Sequence, residues 1–265
     1  DKSNIPVETF IHGAMCTSIS GRCYFSSELM NFDRDFSANR GKCVQPCRRY
    51  YEFLGEEGEK IDFDPVSGMF FNAKDLCMID HIDDLIKAGI SAFKIEGRMR
   101  DPLYIATAAE CYREAIDSYF NGTYSTVKID GWIKRLERVF NRGFHTGFYY
   151  DRPGPEKIER NIRGNVSKWK KTLVGKVINY YKKASAVEIE LFTGRIKSGQ
   201  DLIFENRSDF FFKQKAGSIK IDDNSVNETP IASSGNHLII GVKVEKKVPI
   251  NSNVFIHSEN RSTGV

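Results

Sequence analysis

The spacing of apolar residues changes near position 170 and divides the chain in two. In the first half, residues 7–11 read as a buried strand running into a loop rich in glycine and cysteine. Residues 68–71 form a second extended piece. Over residues 76–88 the apolar positions Leu76, Ile79, Ile82, Leu85 and Ile86 recur at helical spacing, with Asp75 as cap and Gly89 as terminator. Residues 90–96 read as a short apolar strand closing on Gly97-Arg98. Asp101-Pro102 sets a cap before a proline at the first helical position and predicts a long helix to about Phe120, stopped by Asn121-Gly122. A further helix is predicted over residues 131–140. Strand, loop, helix, strand, helix is the order of parallel βα units.

From about Thr172 the runs are short and rich in Val, Ile, Phe and Tyr: 173–181, 186–192, 201–204, 210–213, 237–244 and 253–256. Gly194, Gly199, Asp222-Asp223-Asn224 and Ser234-Gly235-Asn236 punctuate them. This texture predicts an all-β module, most economically a small closed barrel. The expected organisation is an α/β domain over 1–151, a basic linker over 152–171 carrying Pro153 and Pro155, and the β-domain over 172–265. The first half offers two or three βα units, too few to close an eight-stranded barrel of roughly 250 residues. The remaining N-terminal units are therefore expected in a missing part of the protein or on a partner chain.

Hydrophobic residues at 40% and charged residues at 28% suit a soluble globular protein. No apolar leader opens the chain and no stretch approaches the roughly 20 apolar residues of a membrane span, so a cytoplasmic protein is expected. The formal charge of +4 is mild, but its distribution is uneven. Lys157, Arg160, Arg163, Lys168, Lys170 and Lys171 face only Glu156 and Glu159 in the basic stretch. Arg22, Arg34, Arg40, Lys42, Arg48 and Arg49 crowd the cysteine region. Such clusters serve equally as solvated surface or as a nucleic-acid footprint.

Four of the six cysteines, Cys16, Cys23, Cys43 and Cys47, fall in the pattern C-x6-C-x19-C-x3-C among glycines and polar residues. Four thiolates on such a loop can close around zinc or a 4Fe–4S cluster, or pair as two disulfides. The low cysteine density and the lack of a leader favour reduced thiols. Cys111, in the long helix, reads as a structural thiol. His12 lies four residues before Cys16, and its expected role is a hydrogen-bonding support for the ligands or an occasional zinc ligand.

The blocks Glu8-x-Phe10-x-x-Gly13-Ala-Met-Cys16, Gly21-x-Cys23, Ser26 and Asn39-x-Gly41-x-Cys43-x-Gln45-Pro46-Cys47-Arg48 resemble the signature of the peptidase U32 family of collagenase-like proteins. The likeness continues through Asn72-x-Lys74-Asp75-Leu76-Cys77, Gly89-Ile-x-x-x-Lys94-Ile-Glu96-Gly97-Arg98-Met99, Tyr112-Arg113-x-Ala115-Ile116-Asp117 and Asn141-Arg142-Gly143-Phe144-x-Thr146-Gly147-Phe148. It implies the second half of a modified TIM barrel. Residues 172–256 look like the β-barrel of elongation factor domain II.

The family resemblance implies either proteolysis or oxygen insertion into RNA bases, as in hydroxylation of the tRNA wobble uridine. For the second activity it implies a 4Fe–4S cluster on Cys16, Cys23, Cys43 and Cys47, with zinc as the alternative occupant, and prephenate as co-substrate. Cys77 is the rival for the fourth ligand position, though its expected helical setting favours a core thiol. Barrel enzymes place substrate groups at strand ends, and alternation would put Lys94, Glu96 and Arg98 on one face there. The rival role for that trio is an ion-paired rim. Arg48 and Arg49, followed by Tyr50 and Tyr51, combine charge with stacking surface suited to RNA; a core role for the tyrosines is the alternative.

Neither a nucleophile with a nearby base nor the H-E-x-x-H zinc spacing appears, so proteolysis lacks a visible mechanism. Three classes of function remain: a cluster-dependent RNA hydroxylase, a collagenase-like peptidase, and a zinc-bridged binding module that would act as a homodimer.

Overall fold

The structure, a computed structural model, describes residues 5–19, 21–59, 61, 67–206 and 210–260. It forms two compact units, Asp1–Ser167 and Lys168–Val265, each with its own apolar core.

In the first unit, strand β1 (Glu8–Ala14) enters the cysteine loop, which contains the short helix α1 (Phe25–Leu29). A two-stranded ribbon follows, β2 (Tyr51–Glu52) with β3 (Ser67–Gly68). Next come β4 (Asp75–Cys77), α2 (Ile82–Lys87), β5 (Ala92–Ile95), α3 (Pro102–Phe120), α4 (Thr126–Leu136) and β6 (Phe144–His145). Four strands make one sheet in the order β5-β1-β4-β6. The β1/β5 and β4/β6 pairs are parallel, whereas β1/β4 is antiparallel. The sheet is thus mixed, and the all-parallel βα expectation holds for only two of its three pairings.

Two helix expectations need correction. Asp75 caps no helix, because Asp75, Leu76 and Cys77 form a central strand, buried at all three positions between β1 and β6. A 3₁₀ turn (Ile79–His81) then leads into α2, which Gly89 ends at φ +80°. The spacing of Leu76, Ile79, Ile82 and Leu85 mimics one helix because strand, turn and helix all face the same core. The second helix starts at Thr126 rather than 131 and stops at Leu136. Only Trp132 and Leu136 of α4 are buried, so its polar first turn carries little apolar signal. The long helix α3 starts as its capping signal predicts, with Asp101 accepting from the Tyr104 N–H at 2.9 Å.

The stretch expected as a free linker is instead tied to the first unit. Lys74 N–H donates to Lys157 O, Glu159 N–H to Asn72 O, and Val166 N–H to Asn141 O. The buried Asn72 side chain adds a bond to Glu159 O at 2.8 Å.

The second unit is an eight-stranded antiparallel sheet: β7 (Trp169–Tyr181), β8 (Ala186–Leu191), β9 (Asp201–Glu205), β10 (Phe211–Lys215), β11 (Ile219–Ile221), β12 (Asn224–Val226), β13 (Leu238–Lys243) and β14 (Asn253–Glu259). Strict alternation places Val187, Ile189 and Leu191 of β8 in the core. The strand order is β10-β9-β14-β7-β8-β13-β11-β12. Among the described residues no ladder joins its two edges, β10 and β12. Gln214 of β10 bridges to the end of β13, donating to Lys243 O at 2.8 Å and accepting from the Glu245 N–H at 3.0 Å.

Candidate functional site

The site begins where β1 ends. At Gly13 the backbone takes φ +119°, and a Cβ there would fall 2.5 Å from the Glu96 carbonyl oxygen. Only glycine permits this approach. The exits of β1 and β5 are thereby set side by side, the first leading to the cysteines and the second to Glu96 and Arg98.

Cys16, Cys23, Cys43 and Cys47 all line one cavity of about 580 Å³, together with Glu96 and Arg98. The loop is held by interior polar contacts. The buried Ser26 hydroxyl accepts from the Val44 N–H at 3.0 Å. Tyr51 donates to Pro46 O at 2.9 Å, and Gln45, at φ +55°, turns the chain between Cys43 and Cys47. Arg48 is the main clamp. It donates to Ala73 O at 2.6 Å and also to Met15 O, fixing both arms of the loop to the sheet.

The thiols sense one another. Burial pushes the Cys47 pKa up, Arg48 beside it pulls it down, and the Cys43, Cys16 and Cys23 thiolates push it up. Backbone N–H groups point at two sulfurs, Ser18 to Cys16 at 3.4 Å and Gln45 to Cys43 at 3.2 Å. All six cysteines are free thiols. Among the described residues no three His, Cys, Asp or Glu side chains are drawn together as a single metal ion requires.

Other expected site residues separate. Strand β5 ends at Ile95, so alternation does not extend through Glu96 and Arg98. Lys94 stays on the strand, paired with Glu8 at 2.9 Å and lying 5.1 Å from the Phe10 ring, off the cavity. Glu96 accepts from the Arg98 N–H at 3.1 Å. The Arg98 guanidinium lies against Gly41, where a Cβ would meet its Nη1 at 2.9 Å. Arg48 lines the cavity as a clamp, while Arg49 and Tyr50 are exposed outside it. The Tyr50 hydroxyl donates to Ser67 Oγ. His12 is buried beneath the loop, its Nδ1 3.4 Å from the Tyr112 hydroxyl. Its pKa is lowered to about 3, first by burial and then by Arg100. Cys77 lies in the same core, not on the cavity wall. Burial pushes its thiol up to about 12, and the Tyr112 hydroxyl donates to its sulfur at 3.7 Å.

A group that sequence reasoning missed sits behind the loop. Asp75 accepts from Arg142 Nη1 at 3.1 Å and from the Arg142 N–H at 3.1 Å. Arg142 Nη2 reaches Gln45 Oε1 at 3.5 Å, joining this pair to the cysteine loop. Asp75 and Arg142 stand in the quoted blocks, but a separation of 67 residues gives no sign of their pairing.

The fold and site define a mixed α/β unit with a four-cysteine cavity at the adjacent ends of two parallel strands, followed by an antiparallel β-unit. The sequence model for peptidase family U32 matches residues 1–159, and the chain belongs to that family. It is 37% identical over 261 residues to an uncharacterized protease of Methanocaldococcus jannaschii, covering 98% of this chain and 61% of that protein. It is 36% identical over 239 residues to a collagenase of Porphyromonas gingivalis (90% and 63%). It is 34% identical over 193 residues to tRNA hydroxylation protein P1 of Bacillus subtilis (72% and 44%). The chain thus spans less than two thirds of each of these relatives.

No helix among the described residues is long and apolar enough to cross a membrane.

Proposed function

We propose that this chain carries the cysteine-cluster half of a cytoplasmic RNA-base hydroxylation protein acting on tRNA. The observation that carries the reading is the convergence of Cys16, Cys23, Cys43 and Cys47 on one cavity with Glu96 and Arg98. An all-thiolate donor set fits a 4Fe–4S cluster. A tetrahedral zinc site, with bonds of about 2.3 Å, would need its sulfurs drawn much closer together than a cluster does.

When bound, a cluster held by these four thiolates would supply one-electron redox chemistry to the site. The chain's own residues would do the rest. The Ser18 and Gln45 N–H groups would stabilise charge on two of the thiolates. Arg48 would hold the loop in register with the sheet. Arg22 and Arg98, both on the cavity wall, would draw in a polyanion. Tyr24 and Phe71, also lining the cavity, offer ring faces on which an unstacked base can lie. Prephenate is the co-substrate in this reading.

The collagenase name borne by relatives is the rival. His12 does not serve it, because its ring faces Tyr112 in the core and its depressed pKa makes it a poor base.

The test is iron and acid-labile sulfide content after purification without oxygen, comparing wild type with Cys43→Ala. About four iron and four sulfide per chain, lost in the variant, would support the cluster and lead to mass spectrometry of tRNA from deletion strains. Zinc alone, or peptide turnover abolished by Cys16→Ser, would overturn the proposal.

A further inference from the structure

The two units differ in charge. Residues 168–265 hold sixteen lysines and arginines against ten aspartates and glutamates, a net +6, while the whole chain carries +4, so the first unit is net −2. Within the β-unit the surplus is gathered at one end of the sheet. The Val244 N–H donates to Ser185 O at 2.8 Å and the Lys243 N–H to Ser218 O at 3.1 Å, which brings the β7–β8 turn, the end of β13 and the start of β11 together. Lys182, Lys183, Lys220, Lys243, Lys246 and Lys247 belong to these segments, and none enters an ion pair among the described residues. By contrast, Lys213 and Lys215 of β10 are neutralised by Asp201. A cluster of uncompensated lysines is a footprint for a polyanion.

The same end carries a cavity of about 520 Å³, with Lys220 and Lys243 on its wall. It lies over Gly241, which pairs with Glu188 of β8 on one side and Lys220 of β11 on the other. Neither backbone nor packing demands glycine there. Gly241 is not among the positive-φ residues, and a Cβ would meet only the Lys220 Cβ, at an ordinary 3.8 Å. Glycine inside a strand forfeits stability, and its effect here is to leave the hollow open. Tyr181 stands on the wall, 46% exposed, with its hydroxyl donating to Glu188 Oε2 at 3.1 Å. That bond occupies the polar tip and leaves the ring as the contact surface. Asp222 and Asp223, at the β11–β12 turn, add carboxylates to the rim.

We propose that this end of the β-unit binds single-stranded RNA, its lysines holding phosphates and the hollow over Gly241 receiving one unstacked nucleotide against Tyr181. Lysines alone would suit any polyanion. A cavity of this size beside an exposed ring selects a strand whose bases are free to leave the stack, which a duplex does not offer. The carboxylates select ribose, because Glu188, Asp222 and Asp223 can accept from a 2′-hydroxyl that deoxyribose lacks. The inference rests on the RNA reading above and adds to it a second RNA contact, borne by the β-unit alone.

The test is fluorescence anisotropy of a labelled uridine dodecamer with the full chain at several salt concentrations. Wild type should bind it saturably and bind the deoxyuridine dodecamer more weakly. Gly241→Leu fills the hollow at a strand position that suits a side chain better than glycine. It should weaken RNA binding about tenfold, as Tyr181→Ala should, and lose no stability in urea unfolding. Replacing Lys220 and Lys243 together by Gln should weaken binding and lower the slope of log affinity against log salt by about 1.4. Lys87→Gln, which removes an exposed lysine of the first unit, should bind as wild type does. Wild-type affinity in Gly241→Leu would overturn the proposal, as would equal affinity for the two dodecamers. So would binding to vesicles of equimolar phosphatidylcholine and phosphatidylserine that the RNA fails to displace. RNA binding sensitive to Gly241→Leu in a protein devoid of iron would uphold this site while sinking the cluster reading; an iron-bearing protein whose RNA binding ignores Gly241→Leu would do the reverse.

Discussion

Gly13 on β1 and Glu96 beyond β5 touch backbone to backbone, and this contact couples the cysteine loop to the rest of the cavity wall. The approach is prepared by a register shift between Phe10 and His12 in the β1/β5 pairing and closed by the Glu96 N–H donating to His12 O at 2.8 Å. An alanine at position 13 would place a methyl 2.5 Å from the Glu96 carbonyl oxygen in a conformation that L residues rarely adopt. Gly13→Ala should cost about 2–4 kcal/mol, combining clash with backbone strain. It should also lower cluster content in the protein that still folds. Urea unfolding and iron analysis would check both, and wild-type values in both would show that the strand exits move independently.

Asp75→Asn should be more damaging than its small change in shape implies. It leaves Arg142 and Arg100 buried without a counter-charge, a loss of about 3–5 kcal/mol. The two tryptophans give a direct readout, since Trp132 belongs to the first unit and Trp169 to the second. In a Trp169→Phe background the Trp132 transition should move to lower denaturant. In a Trp132→Phe background the Trp169 transition should stay in place. A shift of both would contradict a local electrostatic cause.

Features with local causes were legible in the sequence, and those with distant causes were not. The α3 cap is written in Asp101-Pro102, and the β8 strand in its alternation, because each depends on adjacent residues. The four loop cysteines stood out as a group by their spacing, and a single loop brings them to one cavity. Asp75 was misread as a cap because its true partner is 67 positions away. Lys94 was grouped with Glu96 and Arg98 because strand alternation was carried past Gly97, whereas β5 ends at Ile95. Strands β11 and β12 escaped notice because each is only three residues long. Their hairpin is made by Asp222 and Asp223 at φ +47° and +67°, a turn rather than an apolar run.

His12 makes the stability of the first unit depend on pH in a defined direction. Its ring is neutral in the fold down to about pH 3, whereas an unfolded histidine takes up a proton near 6.5. Below pH 6.5 the unfolded state therefore binds a proton that the folded state refuses, and stability falls as pH drops. Above 6.5 this contribution is flat. The slope should approach about 1.4 kcal/mol per pH unit between the two values. His145, also depressed by burial, adds a loss of the same sign and remains in the variant. His12→Gln should flatten the profile between pH 4 and 6, as measured by urea unfolding at each pH; identical slopes would refute the assignment.

The six thiols should divide by chemistry as they do by position. Cys16 is exposed, Cys23 and Cys43 are half-buried, and Cys47 is raised by burial. Alkylation of the metal-free chain at pH 8 should therefore reach Cys16 first and Cys47 last among these four. Cys77, with a pKa near 12, presents only about one thiolate in ten thousand at that pH. It is also buried in the core of the first unit, so it should react only after denaturation. Reconstitution with iron and sulfide should protect Cys16, Cys23, Cys43 and Cys47 together, and chelation should expose all four again. Peptide mass spectrometry separates the outcomes. Protection of three of the four plus Cys77 would move the fourth ligand to β4 and require the strand to shift, since the Cys77 sulfur now faces the Tyr112 hydroxyl in the core.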